Sequence, residues 1–329
     1  MQTARKLSWN EYFGHLDKYD KIHNGTALFD NGSLNNYYVF ICFFEECKET
    51  GAIYIERTNT VYALIEDTVF YNCCTTSTYG GGSVMYFCRE DGQFVQHRTC
   101  YYKSIAHENM AFVQGVKSSP SNKNYAFDVS VFKCGANERD IIDCIFVIAF
   151  GDIHFENNNI TNNYCITCSS HFDRLEGGSG TFNFSTFREN NQTNRMSLYF
   201  CSYNSSFTHT ISYCNVIGNI CETDIYDVLF RCGLTTYVDH CIIKNNIAKH
   251  IFEVDGTLTI SESYVDSNST SGDGSIIFNN LTINYNFNTF HHLFNENCSI
   301  NSGKIITLNF SFLSTFAKTA SAGLVPSKK

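Results

Sequence analysis

Along residues 157–297 an apolar or small side chain returns three places before an asparagine, in the pairs Ile160/Asn163, Phe187/Asn190, Val216/Asn219, Ile243/Asn246, Val265/Asn268 and Phe294/Asn297. The markers recur roughly every 22 to 29 residues, a period that signals stacked repeats. The pattern runs back through Cys134/Asn137 and Ala106/Asn109. It then continues, with cysteine in the asparagine position, in Phe70/Cys73 and Phe44/Cys47, which makes about ten repeats. After a marker comes a short polar step and an extended apolar run such as Ile251–Val254, Ser275–Phe278 or Lys304–Leu308. A turn and a second alternating run, such as Thr257–Ile260 or Leu281–Asn284, lead to the next marker. No segment of this unit carries a helical period. Two or three strands in fewer than thirty residues cannot bury their own apolar face, so the unit must stack on copies of itself. The expected fold is all-β, a right-handed parallel β-helix of about ten coils, its hand following the usual rule for parallel crossovers.

The flanks differ from the repeats. Ser8-Trp9-Asn10-Glu11 has the capping-box form, and Trp9, Tyr12, Phe13 and Leu16 then share one helical face. A short amphipathic helix is expected there, as a lid on the open strand edge and apolar cross-section of the first coil. Asn24-Gly25 and Asn31-Gly32 mark turns before the first full strand. The organisation expected is a cap region over 1–36, the β-helix over 37–310 and an irregular tail over 311–329. Two insertions should project from the solenoid, at Cys88–Gln96, where one repeat lengthens, and at Lys117–Asn124, where Ser, Pro, Asn and Lys cluster. The marker asparagines themselves suit a corner, because asparagine tolerates the left-handed conformation and one amide can bond to the next along a stack.

Composition narrows the partners. A formal charge of −9 with no Lys/Arg cluster argues against nucleic acid and anionic membrane, both of which need a basic face. The 43% hydrophobic content comes in short runs, none near the eighteen residues of a transmembrane helix. Met1–Asp20 lacks the layout of a secretory signal, so the expectation is either an intracellular chain or a piece of a longer secreted one. Many of the sixteen cysteines, including Cys201, Cys214, Cys221, Cys232 and Cys241, sit in strand positions, where they are expected as small inward-facing thiols more than as a disulfide framework.

The residues Phe70-Tyr71-Asn72-Cys73, Phe187-Arg188-Glu189-Asn190 and Phe294-Asn295-Glu296-Asn297 form one recurring element, and Gly51-Ala52-Ile53-Tyr54 and Gly81-Gly82-Ser83-Val84 a second. In both, the chain resembles the right-handed parallel β-helix proteins of the pectate-lyase-like superfold. Within these it is most similar to the repeat-rich surface proteins of the bacterial polymorphic outer-membrane type and their protozoan counterparts. The resemblance implies an extracellular or cell-surface location and an adhesive role. Ten or so Asn-x-Ser/Thr strings, Asn183-Phe184-Ser185 and Asn268-Ser269-Thr270 among them, permit glycosylation of a secreted chain.

Candidate chemistry is sparse. The Asn-x-Asp, Asp-Asp, Gly-His-Gly and Arg-x-Lys strings that the resemblance associates with galacturonan hydrolases do not occur. Asp140 with Asp143 and Asp224 with Asp227 are the nearest carboxylate pairs, but residues three apart on one strand point to opposite faces, so neither converges as a dyad. Cys165-Ile166-Thr167-Cys168 has the spacing of a zinc or redox pair without a second such pair or a thioredoxin-like context. His154, His171, His291 and His292 have no accompanying hydrolase or metalloprotease string, and Gly80-Gly81-Gly82 lacks the lysine and helix of a phosphate loop. Tyr101 and Tyr102 could stack on sugar if exposed, though aromatic residues more often form interior ladders in such a fold. No catalytic, cofactor-binding or metal-binding residue is therefore assigned. The expected function is a non-enzymatic surface or secreted scaffold for a protein or glycan ligand, either as it stands or as a fragment of a longer chain. The alternative is a polysaccharide-active enzyme with an unrecognised site.

Overall fold

In the computed structural model the chain is a parallel β-solenoid with almost no helix. The structure describes residues 9–14, 20–22, 25–30, 32, 36–75, 82–88, 91–105, 109–115, 121–135, 144–174, 180–193, 196–202, 207–221 and 228–283. Among the described residues three sheets run along it. The first and widest holds 18 strands, the second 10 and the third, short one 4. One coil shows the plan. Val228–Cys232 lies in the second sheet, Thr236–Asp239 and Ile242–Lys244 form two halves of the first, and Ile247–Ala248 enters the third before His250–Val254 begins the next coil. Each strand pairs in parallel with its counterpart one coil away, as Thr236–Asp239 does with His209–Ser212 on one side and Thr257–Ser261 on the other.

Six successive turns repeat this plan regularly, from Lys123–Phe127 with Ser130–Phe132 to Thr257–Ser261 with Tyr264–Val265. The regular solenoid is thus about six turns rather than ten. Toward the amino end the two halves of the first sheet run together as the ten-residue strands Tyr62–Tyr71 and Gln93–Tyr102, each passing through a left-handed corner at Asp67 or Arg98. The expected coil at Phe294/Asn297 and the tail over 311–329 lie outside the described residues. Two markers were also misplaced. Tyr101 is in register with Phe70 and Val131, which puts Ser104 and Cys134 in the marker position in place of Asn109 and Asn137. The apparent insertion at Cys88–Gln96 disappears with that correction, because Gln93 already belongs to a strand. The insertion expected at Lys117–Asn124 lies partly outside the described residues.

The interior is filled by apolar side chains from alternate strand positions, stacked coil on coil. Phe44, Phe70 and Tyr101 form one ladder, with centroids 5.2 and 4.7 Å apart. Phe155, Phe172, Phe182, Phe187, Phe200 and Phe230 form a second, denser cluster.

The marker asparagines are inside as well, and they are not the left-handed residues. Positive φ falls on the residue before each, Asn162, Glu189, Gly218 and Asn245, while Asn163, Asn190 and Asn219 turn inward and are buried. Asn190 Oδ1 accepts from the backbone N–H and the amide of Asn163 at 3.2 and 2.9 Å. Its Nδ2 donates to the Ile160 carbonyl at 2.8 Å and to Asn219 Oδ1 at 3.0 Å. Asn219 repeats the pattern toward Phe187 and Asn246. The stack ends there, since Asn268 is exposed. The expected amide ladder is thus present, one residue away from the corner that asparagine seemed suited to occupy. Its buried amides satisfy strand-end N–H and C=O groups that would otherwise cost free energy.

A second buried column, at the other corner, passes through Asn158, Ser185, Cys214, Cys241 and Ser263. Here Cys214 N–H donates to Cys241 Sγ at 3.3 Å, Cys241 N–H to Ser263 Oγ at 2.9 Å, and the Cys241 thiol to the Ile211 carbonyl. Cysteine and serine do the work of asparagine. Cys201, Cys214, Cys221, Cys232 and Cys241 are buried thiols, as expected, while Cys100 is disulfide-bonded.

Asn219→Ala should destabilise the fold by about 1 to 3 kcal/mol, because it orphans buried groups in both neighbouring coils. Asn246→Ala, at the half-buried end of the ladder, should cost less. Equal, negligible shifts of the denaturation midpoint at both positions would show that the ladder contributes nothing.

Candidate functional site

The helix expected near the amino terminus is a single short turn over residues 9–13, and it is not an end lid. It lies against the outer face of the first sheet. Trp9 is fully buried against Tyr38, Leu64 and Val95, which are in register on three successive coils, and Tyr125 of the fourth joins the edge of the cluster. The aromatic face of this segment requires burial, and the wall of the solenoid offers four coils of apolar surface where the end offers one.

Beside this strap the outer face carries a compact ionic cluster. Glu66 and Asp67, His97 and Arg98, and Asp128 occupy equivalent positions on three coils, with Asp67, Arg98 and Asp128 all at left-handed corners. Glu66 is only 1% exposed. Its Oε2 accepts from the Tyr38 hydroxyl at 2.6 Å and its Oε1 from Arg98 Nη2 at 2.7 Å, while Arg98 Nε also donates to Asp67 Oδ1 at 2.7 Å. His97 lies between two acids, Nδ1 at 3.3 Å from Glu66 Oε1 and Nε2 at 3.5 Å from Asp128 Oδ2. Tyr12 covers the group, its ring edge-on to His97 and parallel to Phe127, and Lys123 Nζ donates to the Tyr12 carbonyl.

These contacts set the protonation states. Burial pushes Glu66 up, but the hydrogen bonds from His97 and Tyr38 and the charge of Arg98 outweigh it and hold the carboxyl at about 2. Burial pushes His97 down and Arg98 opposes its charge, yet Asp128 and Glu66 raise it above the usual histidine value. On the next coil Glu156 is raised by burial and by Asp128. The cluster is therefore a set of interlocked ion pairs in which Glu66 stays ionised, and its evident physical action is to fasten coils to one another and to the strap.

The outer face changes character beyond residue 180. Thr181, Thr210, Tyr237, Thr259 and Ile277 form one outward column, and Asn183, Ser212, Asp239, Ser261 and Asn279 a second, each in register from coil to coil. Tyr237 and Ile277 are 45% and 46% exposed. At about 4.8 Å per coil this array is roughly 20 Å long. It is rich in hydroxyl and amide groups, and Asp239 is its one charged residue.

The residues singled out in the sequence are scattered relative to these features. Cys165 faces the interior, whereas Cys168 belongs to a separate outer cluster of the second sheet, so the Cys-x-x-Cys string is not a joint site. Tyr101 is interior and Tyr102 exterior. The latter stacks between Tyr71 and Phe132 at 5.7 Å from each, so the rings cover one another's faces and leave only edges for a ligand. His154 Nε2 sits 3.2 Å from Asp152 Oδ2, which also accepts from the Tyr125 hydroxyl. Asp140, Asp143, Asp224, Asp227, His291, His292, Gly80, Gly81 and the side chain of His171 lie outside the described residues. None of the ionic cluster was anticipated. Its signal lay in the coil period, since Arg98 meets Asp67 and Glu66 at separations of 31 and 32 residues. Among the described residues no group of three or more His, Cys, Asp or Glu side chains is placed to hold a metal ion, and no helix is long and apolar enough to cross a membrane. No protein-family model, curated protein or solved structure matches the chain.

Proposed function

We propose that the chain is a non-enzymatic β-solenoid scaffold of a secreted or surface protein, and that its bare outer face over residues 180–279 carries adhesion to a protein or glycan. The observation behind this reading is the contrast along one sheet. The amino-terminal coils are covered by the strap and locked by ion pairs, while the following coils present the in-register Thr/Tyr/Ile and Asn/Ser/Asp columns to solvent. A rigid array of hydroxyls with an exposed ring suits a neutral polymer or an extended protein surface, because little side-chain freedom is lost on binding. The recurring Phe-x-x-Asn element adds support, since in it the chain resembles surface β-helix proteins of right-handed winding.

Immobilised protein, tested against a glycan array and against cell surfaces, should show binding that falls at least tenfold in a Thr210→Lys/Tyr237→Lys variant of unchanged melting temperature. Binding equal in both proteins would remove the face from consideration.

A second reading is a polysaccharide-active enzyme, and its candidate acid is Glu156, which is in register with Phe127 beside Asp128 on the neighbouring coil and is raised by burial and by that carboxylate. Turnover of pectin or alginate that Glu156→Gln abolishes would favour the enzyme over the scaffold.

A further inference from the structure

The outer face of the second sheet holds a group that neither the ionic cluster nor the bare array involves. Cys144 and Cys168 are direct partners on neighbouring parallel strands, Cys144–Ala149 and Cys168–Arg174. Their sulfurs stand 2.7 Å apart, and the residues are 4% and 1% exposed, packed with Val147, Met196 and Val228. Non-bonded heavy atoms settle at roughly 3.5–4.0 Å, so two independent thiols do not rest at this separation. A shared metal ion does not explain it either, because two thiolates bound at about 2.3 Å in a tetrahedral site lie about 3.8 Å from each other. A disulfide does fit. In-register neighbours in a sheet have Cα atoms about 4.8 Å apart, within the roughly 4.4–6.8 Å that a disulfide spans.

We infer that Cys144 and Cys168 are a latent disulfide site that closes across adjacent coils when the chain folds in an oxidising medium. The site does not depend on what the bare face binds. In the reaction one cysteine thiolate attacks a sulfur of a small disulfide such as oxidised glutathione and expels one glutathione thiolate. The second cysteine thiolate then attacks the cysteine sulfur of that mixed disulfide and expels the other. Two cysteine thiols are oxidised, one glutathione disulfide is reduced to two glutathiones, and the two cysteine protons end on them. The exchange belongs to folding, before the apolar cluster shuts over the sulfurs.

Other stacked sulfurs are engaged differently. Cys241 Sγ accepts from the Cys214 backbone and its thiol donates to the Ile211 carbonyl, and the Cys73 thiol donates to the Phe44 carbonyl, so these take part in the buried hydrogen-bond columns in addition to meeting the side chains of Cys214 and Cys47.

The test is to refold the full chain in a glutathione redox buffer, block remaining thiols with iodoacetamide under denaturing conditions, and map peptides without reductant. The expected product is a crosslinked peptide joining Cys144 to Cys168, lighter than its two thiol parts by two hydrogens, with a melting temperature several degrees above that of the reduced protein. That increment should vanish in Cys168→Ser, and in Cys144→Ala/Cys168→Ala should that single variant fail to fold. Folded protein from the same buffer in which both cysteines are alkylated, or in which either is joined to a different cysteine, overturns the inference.

Discussion

Phe172→Ala should cost about 3 to 5 kcal/mol, the range for deleting a fully buried aromatic ring. The Phe172 ring lies 5.1 Å from Phe155, 4.5 Å from Phe182 and 5.1 Å from Phe200, so its removal opens a void shared by neighbouring coils. The backbone on either side is tied into continuous parallel ladders and has little freedom to collapse into that void. Phe172→Leu, which keeps most of the volume, should cost under about 1.5 kcal/mol. Because a coil touches only its neighbours, a defect in the middle should also weaken the coupling of the two halves and broaden the denaturation curve. A loss below about 1 kcal/mol for the alanine variant would mean that the phenylalanine stack is not a working core.

Arg98→Met should destabilise by about 2 to 4 kcal/mol, since it leaves the buried Glu66 carboxylate without its guanidinium partner. The effect has an acid signature. The folded pKa of Glu66, about 2, is below its ordinary value of 4.5, so its contribution is fully present above pH 4.5 and is lost as pH falls toward 2. In Arg98→Met the carboxyl should titrate higher, shifting that loss to a higher pH. Adding Glu66→Gln to Arg98→Met should recover part of the stability by removing the stranded charge. A double variant no more stable than Arg98→Met would refute the pairing argument. The chain has a single tryptophan, Trp9, and it is buried in the strap beside this cluster, so loosening of the strap should appear as a red shift of its emission.

The parallel solenoid was legible because the apolar-x-x-Asn spacing reports stacking directly. Its detail was not. Register depends on which residue faces in, and Ser104 and Cys134 hide in the marker position, where the Cys134 sulfur takes the hydrogen bond from the Ser104 backbone that an amide oxygen takes elsewhere. The left-handed corners were hidden too. They fall on Arg98, Lys103, Phe184, Tyr213 and His240, residue types that carry no turn signal, and the sheet's hydrogen bonds hold them there against their own preference. The ionic cluster and the Cys144/Cys168 pair share one cause of concealment. Their members are one coil apart in the chain, and a search for motifs of adjacent residues does not join Glu66 to Arg98 or Cys144 to Cys168.

The strap over residues 9–13 gives the molecule two mechanical regimes. Stretched from its carboxy-terminal side, the solenoid should shed unstrapped coils singly, each breaking one set of ladders and paying out its own length of chain. Peeling then reaches the coils bearing Tyr125, Val95, Leu64 and Tyr38, which Trp9 and its neighbours clasp together. There the load falls on several coils simultaneously, and extension should halt until the clasp gives way. A force trace would show evenly spaced small steps followed by one larger rupture, so that a tether built from this chain lengthens under a modest pull yet keeps a firm root.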